Sequence, residues 1–172
     1  MKTLIQTLYV ITLVLFLFTS CTDKTGLSTK DLENSMIESP QTQADIDRNR
    51  IIKYVKAKKL KGNFTSSGIF YVIDNPGEGL EKPTNDSQIT ANYIGSLISG
   101  KVFDSTYDRG EPLEVKLGDV IEGWQEAIGM LGKGGKGKFI IPSNLAYGEQ
   151  QVGEFIAENS SLVYDIELLD FK

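Results

Sequence analysis

The sequence predicts an α+β domain in which a curled antiparallel β-sheet wraps on one short central helix. Two observations predict this fold. Short runs of alternating apolar residues, typical of strands, recur from Gly68 to the end of the chain. One amphipathic helix interrupts them, because Trp124, Ile128 and Leu131 recur at helical spacing and form one apolar face. A small sheet packed on this helix would place Trp124, the only tryptophan, at its centre.

The composition of the 172-residue chain narrows the chemistry that it can perform. The absence of histidine excludes Ser-His-Asp and Cys-His nucleophile systems and most zinc sites. The single cysteine cannot form an internal disulfide or a cysteine-rich metal cluster. The net charge of −5 argues against a nucleic-acid partner, which would require a basic face. We therefore expect no metal, no cofactor and no nucleic acid.

Residues 1–20 are predicted to be a secretory signal. Lys2 supplies the positive start, and the apolar run 4–18 is shorter than the ~20 residues of a transmembrane helix. The small residues before Cys21 resemble the lipobox of bacterial lipoproteins, although Phe18 replaces the usual leucine. We expect Cys21 to carry a lipid that anchors the protein in the cell envelope, facing the periplasm from the outer membrane. An uncleaved anchor or a plain signal is the alternative.

Two appended segments are predicted between the signal and the domain. Residues 21–43 are polar and free of aromatic side chains, which predicts a flexible tether. Residues 44–62 are predicted to form a helix, with acidic residues early, lysines late and a glycine stop. The apolar residues of this helix form an incomplete stripe. It therefore either docks on the domain or pairs with a second copy.

The domain is predicted over residues 63–172, and its elements follow in order. The strand-like runs are 68–74, 88–94, 101–104, 113–117, 138–142 and 162–169. Turn signals such as Asn75-Pro76-Gly77 separate them. The Trp124 helix is predicted to begin at an Asp119 cap and to stop at Gly132.

Five motifs of the domain identify a family. They are Tyr93-Ile94-Gly95, Gly100-Lys101-Val102-Phe103-Asp104-Ser105, Val120-Ile121-Glu122-Gly123-Trp124, Leu145-Ala146-Tyr147-Gly148 and Leu162-Val163-Tyr164-Asp165-Ile166-Glu167-Leu168. In this order and spacing, the chain resembles the FKBP-type peptidyl-prolyl cis-trans isomerases, the tacrolimus-binding immunophilins. The resemblance implies about five strands curled around the Trp124 helix, with an apolar groove between sheet and helix.

The resemblance also implies roles for ten residues of this groove. Those implied as catalytic are Tyr93, Phe103, Asp104 and Tyr147, and those implied as substrate-binding are Leu113, Val120, Ile121, Trp124, Ile156 and Tyr164. Trp124 is implied to form the groove floor beneath the substrate proline. The Tyr147 hydroxyl and the Ile121 backbone N–H are implied to donate hydrogen bonds to substrate carbonyls. Asp104 is implied to lie beside the prolyl amide and to hold the Tyr93 hydroxyl.

The activity implied by the resemblance is isomerisation of Xaa-Pro bonds in exported proteins, by desolvation and binding of the twisted amide without covalent chemistry. Proline-containing polypeptides are the implied partners, and macrolides of the tacrolimus and rapamycin type are candidate ligands. Two other classes of function stay open. One is a chaperone-like binding module with a weak or idle groove, and the other is a structural lipoprotein that uses the domain only for docking.

Three positions depart from the family pattern. Leu113 stands where many members carry phenylalanine, and Tyr164 replaces a common phenylalanine. Residues 156–159 read Ile-Ala-Glu-Asn where relatives carry two prolines. We expect the missing prolines to loosen the loop that borders the groove. The consequence would be lower activity or a different choice of substrate.

Overall fold

The structure is a computed structural model that describes residues 26–172. The predicted signal over residues 1–20 and the predicted lipid site at Cys21 lie outside the described residues. Within residues 26–172, no helix is both long and apolar enough to span a membrane. The same part of the chain contains no cluster of three or more histidine, cysteine or acidic side chains that could hold a metal ion.

The elements of the described chain follow in this order. The helices are α1 (Thr29–Asn34), α2 (Gln43–Lys58), α3 (Thr106–Arg109) and α4 (Glu122–Gly129). The strands are β1 (Asn63–Phe64), β2 (Phe70–Asn75), β3 (Gln88–Leu97), β4 (Val102–Ser105), β5 (Leu113–Lys116), β6 (Gly135–Ile141) and β7 (Leu162–Phe171). Two 3₁₀ turns, Leu117–Asp119 and Ser143–Leu145, precede α4 and follow β6.

The strands form one antiparallel sheet, as the sequence predicted. Its order is β1-β2-β6-β7-β3-β4, with β5 paired to β3 beside this path. The long central strands β3 and β7 pair along most of their length, and this register places Tyr93 opposite Ile166 and Gly95 opposite Tyr164. The predicted fold class, an antiparallel sheet with one short central helix, is confirmed.

The two faces of the sheet pack against different helices. One face covers α4, and the apolar residues predicted to face the core, Trp124, Ile128 and Leu131, are buried there. Side chains alternate across a strand, so the neighbours of the core residues point the other way. On that second face, Ile140 and Val163 pack against residues of α2. The sheet therefore lies between α4 and α2.

The helix predicted over residues 44–62 corresponds to α2, and it docks on its own domain. A capping box between Thr42 and Asp45 begins it. Three apolar residues on one side of the helix, Ile51, Ile52 and Val55, are fully buried in the second core. Burial of each such side chain contributes about 1.5–3 kcal/mol, so this docking is strong. Of the two alternatives that the sequence left open, docking on the domain is observed.

The described part of segment 21–43 differs from the predicted flexible tether. Residues Thr29–Asn34 form α1, which begins at a Ser28 capping box. Leu32 is only 2% exposed because it packs in the second core with residues of α2 and of the sheet. The backbone N–H of Leu27 also donates to the Gly62 carbonyl at 2.8 Å. Leu27 and Met36 pack on the same core, and the Asn49 side chain bonds to both the N–H and the carbonyl of Ile37, so several contacts hold this part against the domain.

The boundaries of the central helix also differ from the prediction. Asp119 does not cap α4, because it ends the 3₁₀ turn Leu117–Asp119. The N-cap of α4 is Ile121, which makes no side-chain capping bond. The helix ends at Gly129 rather than at Gly132. At Gly132 an added Cβ would lie 2.5 Å from the Glu78 carbonyl oxygen, so this glycine allows a close backbone approach.

Candidate active site

A single groove between the sheet and the start of α4 contains all ten residues that the sequence singled out. Its volume is about 510 Å³, within the range of small-molecule and peptide sites. The predicted residues that line it are Tyr93, Phe103, Asp104, Leu113, Val120, Ile121, Trp124, Tyr147, Ile156 and Tyr164. The structure thus brings together residues from β3, β4, β5, α4, β7 and two loops. The chemical role of each residue stays a prediction.

The floor of the groove is a cluster of aromatic rings in edge-to-face contact. The Tyr93 ring lies 4.9 Å from the Trp124 ring at 89°, and the Tyr164 ring lies 5.3 Å from Trp124 at 87°. Phe103 contacts Tyr164 at 5.8 Å in the same geometry. Such pairs are worth about 0.5–1.5 kcal/mol beyond burial. The floor is therefore an apolar surface whose shape is fixed before any ligand arrives.

Gly95 makes room for this cluster. A Cβ added at Gly95 would lie 2.7 Å from one carbon of the Phe103 ring and 3.0 Å from the Tyr164 ring. The sequence identified Gly95 only as part of a motif. Its physical role is to let the ring of Phe103 lie directly on strand β3.

One corner of the groove is polar, and it contains a residue that the sequence analysis missed. The Asp104 carboxylate accepts hydrogen bonds from the Tyr93 hydroxyl, from the Arg109 guanidinium and, at 2.8 Å, from the backbone N–H of Ser105. The bond between Asp104 and Tyr93 is the one that the resemblance implied. Arg109 also lies 5.6 Å from the centre of the Tyr93 ring. The only sequence hint of Arg109 was its place shortly after the Gly100–Ser105 motif.

Burial raises the pKa values of two groove tyrosines, Tyr93 and Tyr164. Desolvation, together with the hydrogen bond to Asp104, raises the pKa of Tyr93 above its ordinary value. Burial raises the pKa of Tyr164 further still, with an added effect of the nearby Tyr147. A tyrosine of ordinary pKa is already protonated at neutral pH, and these shifts keep both hydroxyls protonated at more alkaline pH as well.

The far wall of the groove is a loop that holds Tyr147 and Ile156. Val152 and Ile156 exchange backbone hydrogen bonds of 2.8 and 3.2 Å, which turns the Ile156 side chain inward to 5% exposure. Asn159 adopts a left-handed conformation with φ of 56°, and its N–H donates to the Gly148 carbonyl at 2.7 Å. The loop is thus closed by hydrogen bonds at the place where the family pattern has prolines. Val152 and Phe155 also line the groove, and no sequence motif marked them.

The groove is lined by apolar and aromatic side chains and by three carboxylates, Asp104, Asp119 and Glu154. Among the described residues that line it, none is a histidine, cysteine, serine or lysine. Ile121 lies at the N-cap of α4, where the first backbone N–H groups have no partner within the helix. Donors of this kind and protonated tyrosines surround an apolar floor. Such a site suits an uncharged ligand with one or two carbonyl groups.

Comparison with known proteins identifies the family. The family model for FKBP-type peptidyl-prolyl cis-trans isomerase matches residues 79–169, just over half of the chain. This chain belongs to the FKBP family. The ten-residue groove and strands β3 to β6 lie within the matched part, β7 extends two residues past its end, and β1 and β2 precede it.

Several individual proteins are similar to this FKBP. The FKBP-type peptidyl-prolyl cis-trans isomerase FkpA of Buchnera aphidicola (subsp. Schizaphis graminum) is 52% identical over 118 residues, which cover 68% of this chain and 46% of that protein. The crystal structure of FkpA from Escherichia coli superimposes with a TM-score of 0.67 at 40% identity and covers 83% of this chain and 63% of that one. A peptidyl-prolyl cis-trans isomerase structure from Pseudomonas syringae gives a TM-score of 0.63 at 29% identity, covering 79% of this chain and 98% of that one. This FKBP spans 46–60% of the length of the FkpA sequences it matches.

Proposed function

We propose that this protein is a peptidyl-prolyl cis-trans isomerase that accelerates rotation about Xaa-Pro bonds. One observation carries the proposal: the groove offers a fixed aromatic floor, built from Trp124, Tyr93 and Tyr164, to an apolar ring of the size of proline. Family membership supports it as well.

The chemistry that such a groove must perform is modest. Rotation about a peptide bond faces a barrier of about 18–20 kcal/mol, because amide resonance is lost in the twisted state. The planar amide is the more charge-separated form, and water stabilises it by hydrogen bonding to its oxygen. An apolar groove that removes this water weakens the preference for planarity. Contacts that fit the twisted bond better than either planar isomer lower the barrier further, and each ~1.4 kcal/mol is tenfold in rate.

The residues of the groove divide this work among them. Trp124 supports the proline ring from below and excludes water from it. The Tyr147 hydroxyl and the Ile121 backbone N–H donate hydrogen bonds to substrate carbonyls on either side of the twisting bond. Asp104 holds the Tyr93 hydroxyl, and it faces the prolyl amide with its charge balanced by Arg109. No proton is transferred and no covalent intermediate forms.

The test is an isomerisation assay of the full chain on a series of Xaa-Pro peptides. We expect catalysis above the spontaneous rate, fastest when Xaa is large and apolar, because such a side chain contacts the apolar wall formed by Leu113 and Ile156. A chelator is expected to leave the rate unchanged. If the protein shows no catalysis but still suppresses aggregation of an unfolded client, the isomerase proposal fails and a chaperone-like binding module takes its place. The burial of the apolar face of α2 on its own sheet favours the isomerase, because a client cradle would need that face to pair with another copy.

The second part of the proposal concerns location and ligands. The signal-like run before a lone cysteine supports lipidation of Cys21 and anchoring in the bacterial envelope, with proline-containing exported proteins as substrates. Labelled palmitate is expected to enter the wild type and not Cys21→Ala, and equal labelling of both would contradict it. Macrolides of the tacrolimus type are expected to compete for the groove, weakly because Leu113 leaves one wall small.

A further inference from the structure

A buried carboxylate lies outside the groove and is not used by the proposed mechanism. Asp47, on α2, is 0% exposed. It accepts hydrogen bonds from the backbone N–H of Ser143 at 2.8 Å, from the Ser143 hydroxyl and from the Gln43 side chain at 2.8 Å. Arg50 lies 3.4 Å from the same carboxylate. A buried charge is costly unless it is paired and hydrogen-bonded, so all these partners matter.

The main partner of Asp47 organises the backbone on both sides of Tyr147. Ser143 begins the 3₁₀ turn after β6, and its carbonyl accepts from the N–H of Ala146 at 3.0 Å and from the N–H of Gly148 at 2.8 Å. Tyr147 lies between these two residues. The position of its hydroxyl in the groove therefore depends on where Ser143 is held.

A second contact from α2 holds the other end of the same loop. Arg50 donates to the Asn159 carbonyl at 3.0 Å, and the Asn159 N–H in turn donates to the Gly148 carbonyl at 2.7 Å. We refer to residues 143–159 as the groove loop. It contains Tyr147 and Ile156, and α2 contacts it at both ends.

We propose that Asp47 and Arg50 are positioning residues, through which α2 sets the geometry of the groove loop and so of the groove wall. For its effect on catalysis, this inference rests on the proposed isomerase function. Docking of α2 does not require them, because three fully buried apolar residues of the helix already provide it. The Arg50 side chain is 51% exposed, so its ion pair with Asp47 is in addition weak evidence for stability. The hydrogen bonds that Asp47 and Arg50 make outside α2 are to residues of the groove loop and not to the sheet.

The experiment compares variants of the full chain in the Xaa-Pro peptide assay, well below their unfolding temperatures. Asp47→Ala is expected to lower kcat/KM about tenfold, the effect of losing roughly one substrate hydrogen bond. Asp47→Asn, which retains an acceptor oxygen for Ser143, is expected to lose at most about threefold. Ser143→Ala removes the hydroxyl donor to Asp47 and keeps the backbone N–H donor, and it carries the test if Asp47→Ala fails to fold. Amide hydrogen exchange at Gly148 and Asn159 is expected to become at least about tenfold faster in Asp47→Ala.

Two controls separate positioning from general stability. Ile52→Val loosens the packing of the same helix without touching the groove loop, so it is expected to lower the unfolding temperature and leave kcat/KM unchanged. Glu33→Gln breaks the ion pair between α1 and Lys56 of α2, away from the groove loop. It is expected to leave both the unfolding temperature and kcat/KM unchanged. Equal losses of kcat/KM in Ile52→Val and Asp47→Ala would overturn the proposal, as would unchanged exchange at the two amides. If the wild type is inactive, the isomerase function fails, and the exchange data alone decide the positioning role.

Discussion

Replacement of Gly95 by alanine tests whether the position of the Phe103 ring governs the groove. The new Cβ would lie 2.7 and 2.8 Å from two carbons of that ring, whereas ordinary contact begins near 3.4 Å. The Phe103 ring must therefore move by about 0.7 Å, and the Tyr164 ring, 3.0 Å from the new Cβ, must move by roughly a few tenths of an ångström. Because Phe103 is only partly buried, it can move toward the groove mouth without breaking the sheet.

The expected cost to stability is small and the expected cost to activity is large. Overpacking of this kind lowers the free energy of unfolding by about 1–3 kcal/mol. We expect a value near the lower end for Gly95→Ala, because the Phe103 ring can move. The lost freedom of the unfolded chain offsets about 0.4–1 kcal/mol of that cost. A misplacement of ~1 Å at a binding surface can lower the rate as much as a hundredfold, so we expect kcat/KM to fall at least tenfold.

The measurements are kcat/KM for an Xaa-Pro peptide and the free energy of unfolding in urea. Gly129→Ala is the matched control, because its Cβ would meet nothing within 4 Å. This control is expected to keep full activity. A Gly95→Ala protein with unchanged kcat/KM would refute the role of the Phe103 ring in the aromatic floor of the groove.

Three further outcomes follow from the same geometry. Trp124→Ala is expected to raise KM, because it opens the floor of the groove. Tyr147→Phe is expected to lower kcat by no more than about tenfold, because it removes one hydrogen bond and hardly changes the shape of the side chain. Equal effects of the two substitutions on KM would contradict these separate roles. The rate is expected to be nearly flat from about pH 5.5 to 8, because the chain has no histidine and the pKa values of Tyr93 and Tyr164 are raised; a bell-shaped profile in that window would contradict it. Because the folded protein holds these tyrosine protons more tightly than the unfolded chain does, the tyrosines contribute fully to the free energy of unfolding below their ordinary pKa of 10.0. This contribution is lost as the pH rises beyond 10.0. Urea titrations are therefore expected to show a lower free energy of unfolding above about pH 10.

The sequence could predict the central sheet and its helix because each has a strong period. Alternation marks β3, β5 and β7, and helical spacing marks the buried face of α4. It could not predict α1, because a single leucine, Leu32, gives no periodic signal within a polar segment. The sequence also could not place the start of α4, because Asp119, the predicted N-cap, belongs to the 3₁₀ turn that precedes the helix.

The groove was predictable to the extent that its residues lie in motifs. All ten predicted residues line it, since they come from strands, a helix and a loop whose order is that of the family. Arg109, Val152 and Phe155 were missed because their places depend on pairing that sequence does not display. Arg109 reaches Asp104 from the end of α3, and Val152 reaches the groove through its bridge to Ile156.

The absent prolines show most clearly why a motif alone does not describe this groove. Prolines would restrict the loop through their fixed φ. Here the left-handed Asn159, its 2.7 Å bond to Gly148 and the Arg50 contact act at the same place. Arg50 belongs to α2, which precedes the family match at residues 79–169. On the positioning proposal, part of the rigidity of the groove wall therefore comes from a helix outside the part of the chain that matches the family. We expect the Arg50 contact, which residues 156–159 do not encode, to offset part of the loosening predicted from the missing prolines.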